Sequence, residues 1–403
     1  MVLNRRTLLL VLVVGGLPAV AAEHRLPWSP ADLAAVPRTF EAPPTTEPGV
    51  RVILFEGPLY QGKPTRVFAY YGAPPRRGVE TLPAMVLVHG GGGTAYAEWV
   101  RMWNARGYAA IAMDTVGTIP EAAAEPKKAW NPDRHRHEFS GPAGWGDFAN
   151  VDSPPQDQWT YHAVAAVVRA HSLLRSLPEV DPKRIGVTGI SWGGYLTSIV
   201  SGVDARFRFA APVYGCGFLG EDSAWLKDFA NLGPQRAQRW LGLWDPSQYL
   251  GRSKMPMLWV NGTNDFAYPP PSWRRSYRLP KGPRTLAYRV RMPHGHLDGA
   301  KPEEIFQFAD AIFSKGAPPV RITRQGTEKN QAWVGFKRSA SVTRAELAFT
   351  RETGKWQTRK WETAPAQLRG GRASALIPDG ARAYYLNLFD AQNRVVSGEY
   401  VDR

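Results

Sequence analysis

Between residue 50 and about residue 314, short apolar runs alternate with longer amphipathic stretches, and this alternation restricts the fold more than any other feature of the chain. The runs at 51–54, 65–71, 84–89, 108–114, 184–189, 207–213, 256–261 and 286–292 suit strands. Several are apolar at nearly every position, the pattern of a strand covered on both faces. Between them, residues 96–106, 158–177, 194–202, 271–277 and 302–315 read as helices. Such alternation predicts an α/β protein with a doubly wound, mostly parallel sheet whose first strands are antiparallel. Two stretches break the rhythm, 115–156 and 217–250, the first rich in Pro, Gly, Trp and charge. Long insertions at the strand ends of such a sheet commonly cover a site.

After Gly316-Ala317-Pro318-Pro319 the period changes. Short alternating bursts, such as Ala332-Trp333-Val334-Gly335-Phe336, are separated by turn residues and predict a small all-β, immunoglobulin-like sandwich over 318–403. The main domain is then 23–317. Residues 1–22 read as a signal peptide: Arg5-Arg6, an apolar run from Leu8 to Val20, then Ala21-Ala22 before Glu23. Export by the general route, or by a twin-arginine signal suggested by Asn4-Arg5-Arg6-Thr7-Leu8, is expected. The run is too short for a permanent anchor, so no stable membrane insertion is expected once it is removed.

With 43% hydrophobic residues in 403, the chain has ample apolar surface for a core, which excludes a disordered protein. Its one cysteine, Cys216, cannot form an intramolecular disulfide, and its apolar setting suits a buried, inert thiol. The net charge of +15 could favour anionic partners. Its basic residues are scattered without a dense block or a nucleic-acid motif, so no nucleic-acid partner is expected.

The chemistry concentrates in four places. Gly189-Ile190-Ser191-Trp192-Gly193 fits G-x-S-x-G, with an apolar strand running into it and a helical stretch after it. That context exposes a serine on a strained strand-to-helix turn, so Ser191 is the expected nucleophile. The partners should follow as acid, then histidine. Asp265 closes an apolar strand in a turn and is the expected acid. Pro293-His294-Gly295-His296 supplies the base. His296 is favoured because the loop needs several residues beyond the strand to swing back to the serine, with His294 the alternative. His89-Gly90-Gly91-Gly92-Gly93 follows a strand and can turn backbone amides to one point; Gly91 and Gly92 with the Trp192 amide are the expected oxyanion hole. No G-K-[ST] follows, so this is not a phosphate-binding P-loop. Trp145, Trp192 and Tyr268 are candidate pocket walls.

Taken together, these four segments resemble the bacterial α/β-hydrolases grouped with acetyl xylan esterases and cephalosporin-C deacetylases, over about residues 50–316. Prolyl-oligopeptidase-type peptidases share the same catalytic core more distantly. The resemblance implies the α/β-hydrolase fold and hydrolysis of short acyl esters, particularly acetate on sugars, through an acyl-enzyme; the substrate is a small-molecule or polysaccharide ester, and no cofactor or metal is expected. Three rivals stand beside it. A peptidase is disfavoured because about fifty residues precede the first strand, too few for two propeller blades of roughly 40–50 residues each. A metal enzyme would use the H-x-H pairs His135/His137 and His294/His296. A non-catalytic carbohydrate-binding protein would leave the ordered Ser, Asp and His unexplained.

Overall fold

The computed structural model describes residues 26–75, 78, 80–121, 128–313, 316–337 and 342–403; the expected signal segment, 1–22, lies outside them. The apolar runs form strands, and burial explains why. Strands β1 (Thr39–Phe40), β2 (Arg51–Glu56), β3 (Arg66–Gly72), β4 (Leu82–Val88) and β5 (Ala109–Met113) open the main sheet. A short hairpin of β6 (Thr118–Pro120) and β7 (Arg134–Arg136) interrupts it. Then β8 (Val180–Ile190), β9 (Ala210–Val213), β10 (Met257–Gly262) and β11 (Arg284–Arg289) complete it. The order is β1-β2-β3-β5-β4-β8-β9-β10-β11. Pairings from β1 through β3 to β5 are antiparallel, and the rest are parallel. Every residue of β5, β9 and β10 is buried, as a sheet covered on both faces requires.

The helices are α1 (Pro30–Ala34), α2 (Ala97–Asn104), α3 (Trp159–Ser176), α4 (Trp192–Val203), α5 (Leu226–Leu232), α6 (Pro234–Trp244), α7 (Ser247–Leu250), α8 (Pro270–Tyr277), α9 (His296–Ala300) and α10 (Glu303–Ile312). In α2 the apolar stripe of Trp99, Val100 and Trp103 is buried, while Glu98 and Arg101 pair on the outside. Most of α3 is buried all round, because the sheet lies on one side and Trp28 and α1 on the other.

One boundary differs from expectation in a way that matters. The last strand, expected at 286–292, runs Arg284–Arg289, since its parallel register pairs Met257 with Arg284 and Gly262 with Arg289. Arg291 then takes φ +52°, a left-handed conformation that ends extended pairing. Val290 to Pro293 therefore belong to the loop.

The C-terminal segment forms β12 (Arg321–Glu328), β13 (Gln331–Lys337), β14 (Val342–Thr350), β15 (Glu362–Pro365), β16 (Gln367–Arg369), β17 (Arg372–Leu376), β18 (Ala383–Asp390), β19 (Val395–Ser397) and β20 (Val401–Asp402). They make two antiparallel sheets, β12-β13-β17-β16 and β15-β14-β18-β19, with β20 also on β18. All eight residues of β18 are buried, and alternation shows why. Tyr384, Leu386 and Leu388 fill the core between the two sheets. Ala383, Tyr385 and Phe389 join the core of the main sheet. Tyr385 packs on Tyr288 of β11 with ring centroids 4.6 Å apart, a contact of the kind worth about 0.5–1.5 kcal/mol beyond its buried area.

Candidate active site

Ser191 stands between β8 and α4 with φ 58° and ψ −118°, a strained conformation for a residue with a side chain. Packing holds it there. Its N–H donates to the Val213 carbonyl at 2.9 Å, and its own carbonyl accepts from Tyr195 N–H at 2.9 Å. The turn also brings Gly193 against β4: a Cβ on Gly193 would lie 1.9 Å from the Val88 oxygen, so only glycine fits.

Asp265 follows β10, and its side chain is fully buried. One carboxylate oxygen accepts from the N–H groups of Ala267 at 2.9 Å and Tyr268 at 2.7 Å. The other lies 2.6 Å from His294 Nδ1. A carboxylate can only accept, so Nδ1 carries the proton and Nε2 offers a lone pair. That Nε2 is 2.9 Å from Ser191 Oγ. The imidazole stacks on Tyr214, with centroids 4.4 Å apart and planes 24° from parallel. Tyr214 OH in turn donates to the Pro293 carbonyl at 2.5 Å, fixing the loop beneath the ring.

His296, the favoured base in the sequence, is elsewhere. Its Nε2 accepts the Gly90 N–H at 3.1 Å, its ring lies 5.0 Å from that of Tyr96, and burial pushes its pKa down to about 3. The correction follows from the strand end. With β11 stopping at Arg289 rather than 292, His294 already has the length of loop that the swing back to Ser191 requires. His296 instead opens α9 beside the glycine loop.

That loop is fixed from two sides. Buried His89 donates from Nδ1 to the Gly90 carbonyl at 2.8 Å and accepts the Thr115 N–H on Nε2 at 3.0 Å. Burial lowers its pKa and keeps it neutral. Asp114 next door accepts from Thr94, Val116 and Thr118, tying the start of the 115–156 insertion to the loop. Gly90 lies so near the serine that a Cβ on it would meet Ser191 Cβ at 2.9 Å. Among the described residues the Gly91 and Gly92 amides donate to no protein acceptor. The Trp192 amide is the first of its helix and has no intrahelical partner. Unspent donors beside a serine hydroxyl suit an oxyanion.

The two insertions meet over this end of the sheet. Trp240 of α6 donates to the Gly146 carbonyl at 2.7 Å, and Phe148 packs between Trp240 and Trp192. Trp225 faces Trp192 with centroids 4.5 Å apart. Trp145 borders Gly91: a Cβ there would lie 3.7 Å from its ring. Tyr268 differs from expectation. Its side chain is wholly buried, and its carbonyl accepts from Asn261, so it supports the acid turn and lines no open surface. The residues that sequence reasoning missed are Tyr214, Trp225, Thr115 and Asp114. None carries a motif, and only Thr115 and Trp225 had a signal, their place in the two insertions.

His135 sits 3.7 Å from Glu121 on the hairpin, and among the described residues no group of three or more His, Cys, Asp or Glu could hold a metal ion. No helix among them is long and apolar enough to cross a membrane.

Residues 50–221 match the family described as acetyl xylan esterase, and residues 155–323 match the prolyl oligopeptidase family. The matches overlap across Ser191, and the second also spans Asp265 and His294. Acetyl xylan esterase from Paenibacillus sp. R4 superposes on 70% of this chain and 92% of its own, with TM-score 0.54 and 22% identity. Acetyl xylan esterase 1 from Thermoanaerobacterium sp. JW/SL YS485 covers 69% and 88%, with TM-score 0.50 and 16% identity. At these identities the likeness is one of fold. An uncharacterized peptidase of Bacillus subtilis (strain 168), YuxL, is 26% identical over 199 residues, which are 47% of this chain and 26% of that protein. The match thus spans about a quarter of that relative. The chain has the α/β-hydrolase fold and is similar to two families of serine hydrolases that share it.

Proposed function

We propose that this protein is a serine carboxylic ester hydrolase acting on short acyl esters, acetyl above all, carried by a carbohydrate or another small alcohol. The observation that carries this is the unbroken chain Asp265–His294–Ser191, at 2.6 Å and 2.9 Å, set against a glycine loop with unspent amides. His294 takes the Ser191 proton as Oγ attacks the acyl carbon. Asp265 holds the ring in the Nδ1–H form and stabilises the cation that results. The oxygen of the tetrahedral intermediate would be received by the amides of Trp192 and Gly91, with Gly92 adjoining. His294 then protonates the departing alcohol, and water enters by the same route in reverse to free the acid. The wall of Trp145, Trp192 and Trp225 supports a small acyl group, and the acetyl xylan esterase match supports a sugar ester. Export follows from the reading of residues 1–22 and belongs to the same proposal.

A second reading, a peptidase, is favoured by the prolyl oligopeptidase match, which spans all three residues. One experiment separates them: hydrolysis of p-nitrophenyl acetate, butyrate and octanoate and of aminoacyl p-nitroanilides, by wild type and Ser191→Ala. Acetate cleavage that falls with chain length and disappears in the variant is expected. Anilide cleavage exceeding acetate would make it a peptidase, and equal rates in both proteins would remove Ser191 from the chemistry.

A further inference from the structure

The C-terminal sheets carry no constellation of their own, yet they end against the loops that hold Asp265 and His294. Asn264, immediately before the acid, points its side-chain amide at one turn between β14 and β15. Its Nδ2 donates to the carbonyls of Trp356 at 3.3 Å, Gln357 at 3.2 Å and Arg359 at 2.7 Å. The other end of the amide is fixed as well, since Oδ1 accepts from Thr263 Oγ1 at 2.8 Å. That hydroxyl accepts the N–H of Arg291 at 2.9 Å, and the Arg291 guanidinium donates to the Trp361 carbonyl at 3.0 Å. Arg291 lies on the loop that carries His294. One turn therefore grips both loops, one residue from the acid and three from the base.

The turn is itself anchored. Trp361 is 1% exposed and Trp356 7%, and their rings lie against Tyr385 and Tyr400 in the core shared with the main sheet. It can thus act as a fixed reference, whereas the loops after β10 and β11 have no strand pairing of their own at these residues. Ordinary packing between two layers would need only the apolar contacts of Tyr288 with Tyr385. The hydrogen bonds at 356–361 add a directional restraint at the point where the distance between Asp265 and His294 is set.

We propose that the C-terminal β layer is a positioning part of the hydrolytic apparatus, with Asn264 and Arg291 as positioning residues that hold the acid and base loops in register against residues 356–361. This rests on the reading of Ser191, Asp265 and His294 as the catalytic residues. Neither Asn264 nor Arg291 touches the reacting atoms. Their effect falls on the turnover step, because a displacement of about 1 Å within a catalytic hydrogen-bond chain can cost on the order of 100-fold in rate.

The test uses the full chain and p-nitrophenyl acetate. Asn264→Ala removes the donor; Asn264→Asp keeps the shape but turns a carboxylate on three carbonyl oxygens. Arg291→Met cuts the second link, and Arg291→Lys keeps a donor. Expected are falls in kcat of about tenfold or more for Asn264→Ala, larger for Asn264→Asp, with KM changed less than about twofold. The rate at which a fluorophosphonate labels Ser191 should fall by the same factor, and Arg291→Lys should recover most of what Arg291→Met loses. If either Asn264 variant fails to fold, the Arg291 pair decides, because that link reaches the turn by a separate bond. Unchanged kcat and labelling in the folded variants, with only a lower melting temperature, would reduce the turn to structural packing and overturn the proposal. Ser191→Ala run alongside keeps the two questions apart: activity surviving there would reject the catalytic reading itself.

Discussion

On one flank of Ser191 stand two side chains, Asp265 and His294, in a line set by hydrogen bonds of 2.6 Å and 2.9 Å. On the other flank stand backbone amides of residues 90–92 and 192, and the side chains there are buried His89 and half-buried His296, which hold the loop. His294 and His296 lie two residues apart in sequence and serve opposite flanks. His294 keeps 14% of its side chain exposed, with its Nε2 lone pair turned to the Ser191 hydroxyl at 2.9 Å. His296 spends its lone pair on Gly90 N–H, and burial holds it neutral, with a pKa lowered to about 3. The two rings differ in their partners: one lies between a carboxylate and a serine hydroxyl, and the other accepts a backbone amide. Residue type alone does not separate the two; the loop length after β11 does.

Substitutions at the two histidines break this comparison most directly. His294→Ala is expected to lower kcat on an acetyl ester by about 10⁴-fold or more, the cost of losing a general base from such a unit. Asp265→Asn keeps the shape but cannot impose the Nδ1–H tautomer, and a loss of about 10³–10⁴-fold in kcat is expected from steady-state kinetics. His296→Phe keeps the ring against Tyr96 but leaves Gly90 N–H without its acceptor. It should cost about 10–100-fold in kcat with KM little changed, because the donors loosen only for the transition state. Loss of activity at His296 equal to that at His294 would erase the distinction between the flanks.

The smallest effect is on stability against pH. His162, which donates to the Gln156 carbonyl at the foot of the insertion, has its pKa lowered by burial from 6.5 to about 4. Between those values the unfolded chain takes up a proton that the folded one refuses, so stability is complete above pH 6.5 and drains away as the pH falls. His296 adds to the same trend. Melting curves from pH 7 to pH 4 should shift downward, and His162→Gln should shift less than wild type; equal shifts would show that His162 is not responsible.

Much of the fold was legible because the chain repeats one device. Fully apolar runs such as Ala109–Met113 can only be central strands, and the elbow glycines mark where one of them turns. The serine, the acid and the glycine loop were therefore placed by their own neighbours. The histidine that faces Ser191 was not the one favoured, because the end of β11 depends on its register with β10, a long-range pairing that a run like Leu286-Ala287-Tyr288-Arg289-Val290 does not display. Tyr268 was misjudged for a related reason. An aromatic residue next to such a turn suits either a pocket wall or a core, and only its full burial, with Trp225 packed on its ring, decides for the core. The grip of residues 356–361 on Asn264 joins parts of the chain some ninety residues apart and has no motif.

The most direct test of the central claim is to label the protein with a fluorophosphonate and map the adduct by mass spectrometry, in wild type, His294→Ala and His296→Phe. A single adduct on Ser191, lost in His294→Ala and retained, more slowly formed, in His296→Phe, is the predicted result. An adduct on another residue, or labelling that survives without His294 and vanishes without His296, would contradict it.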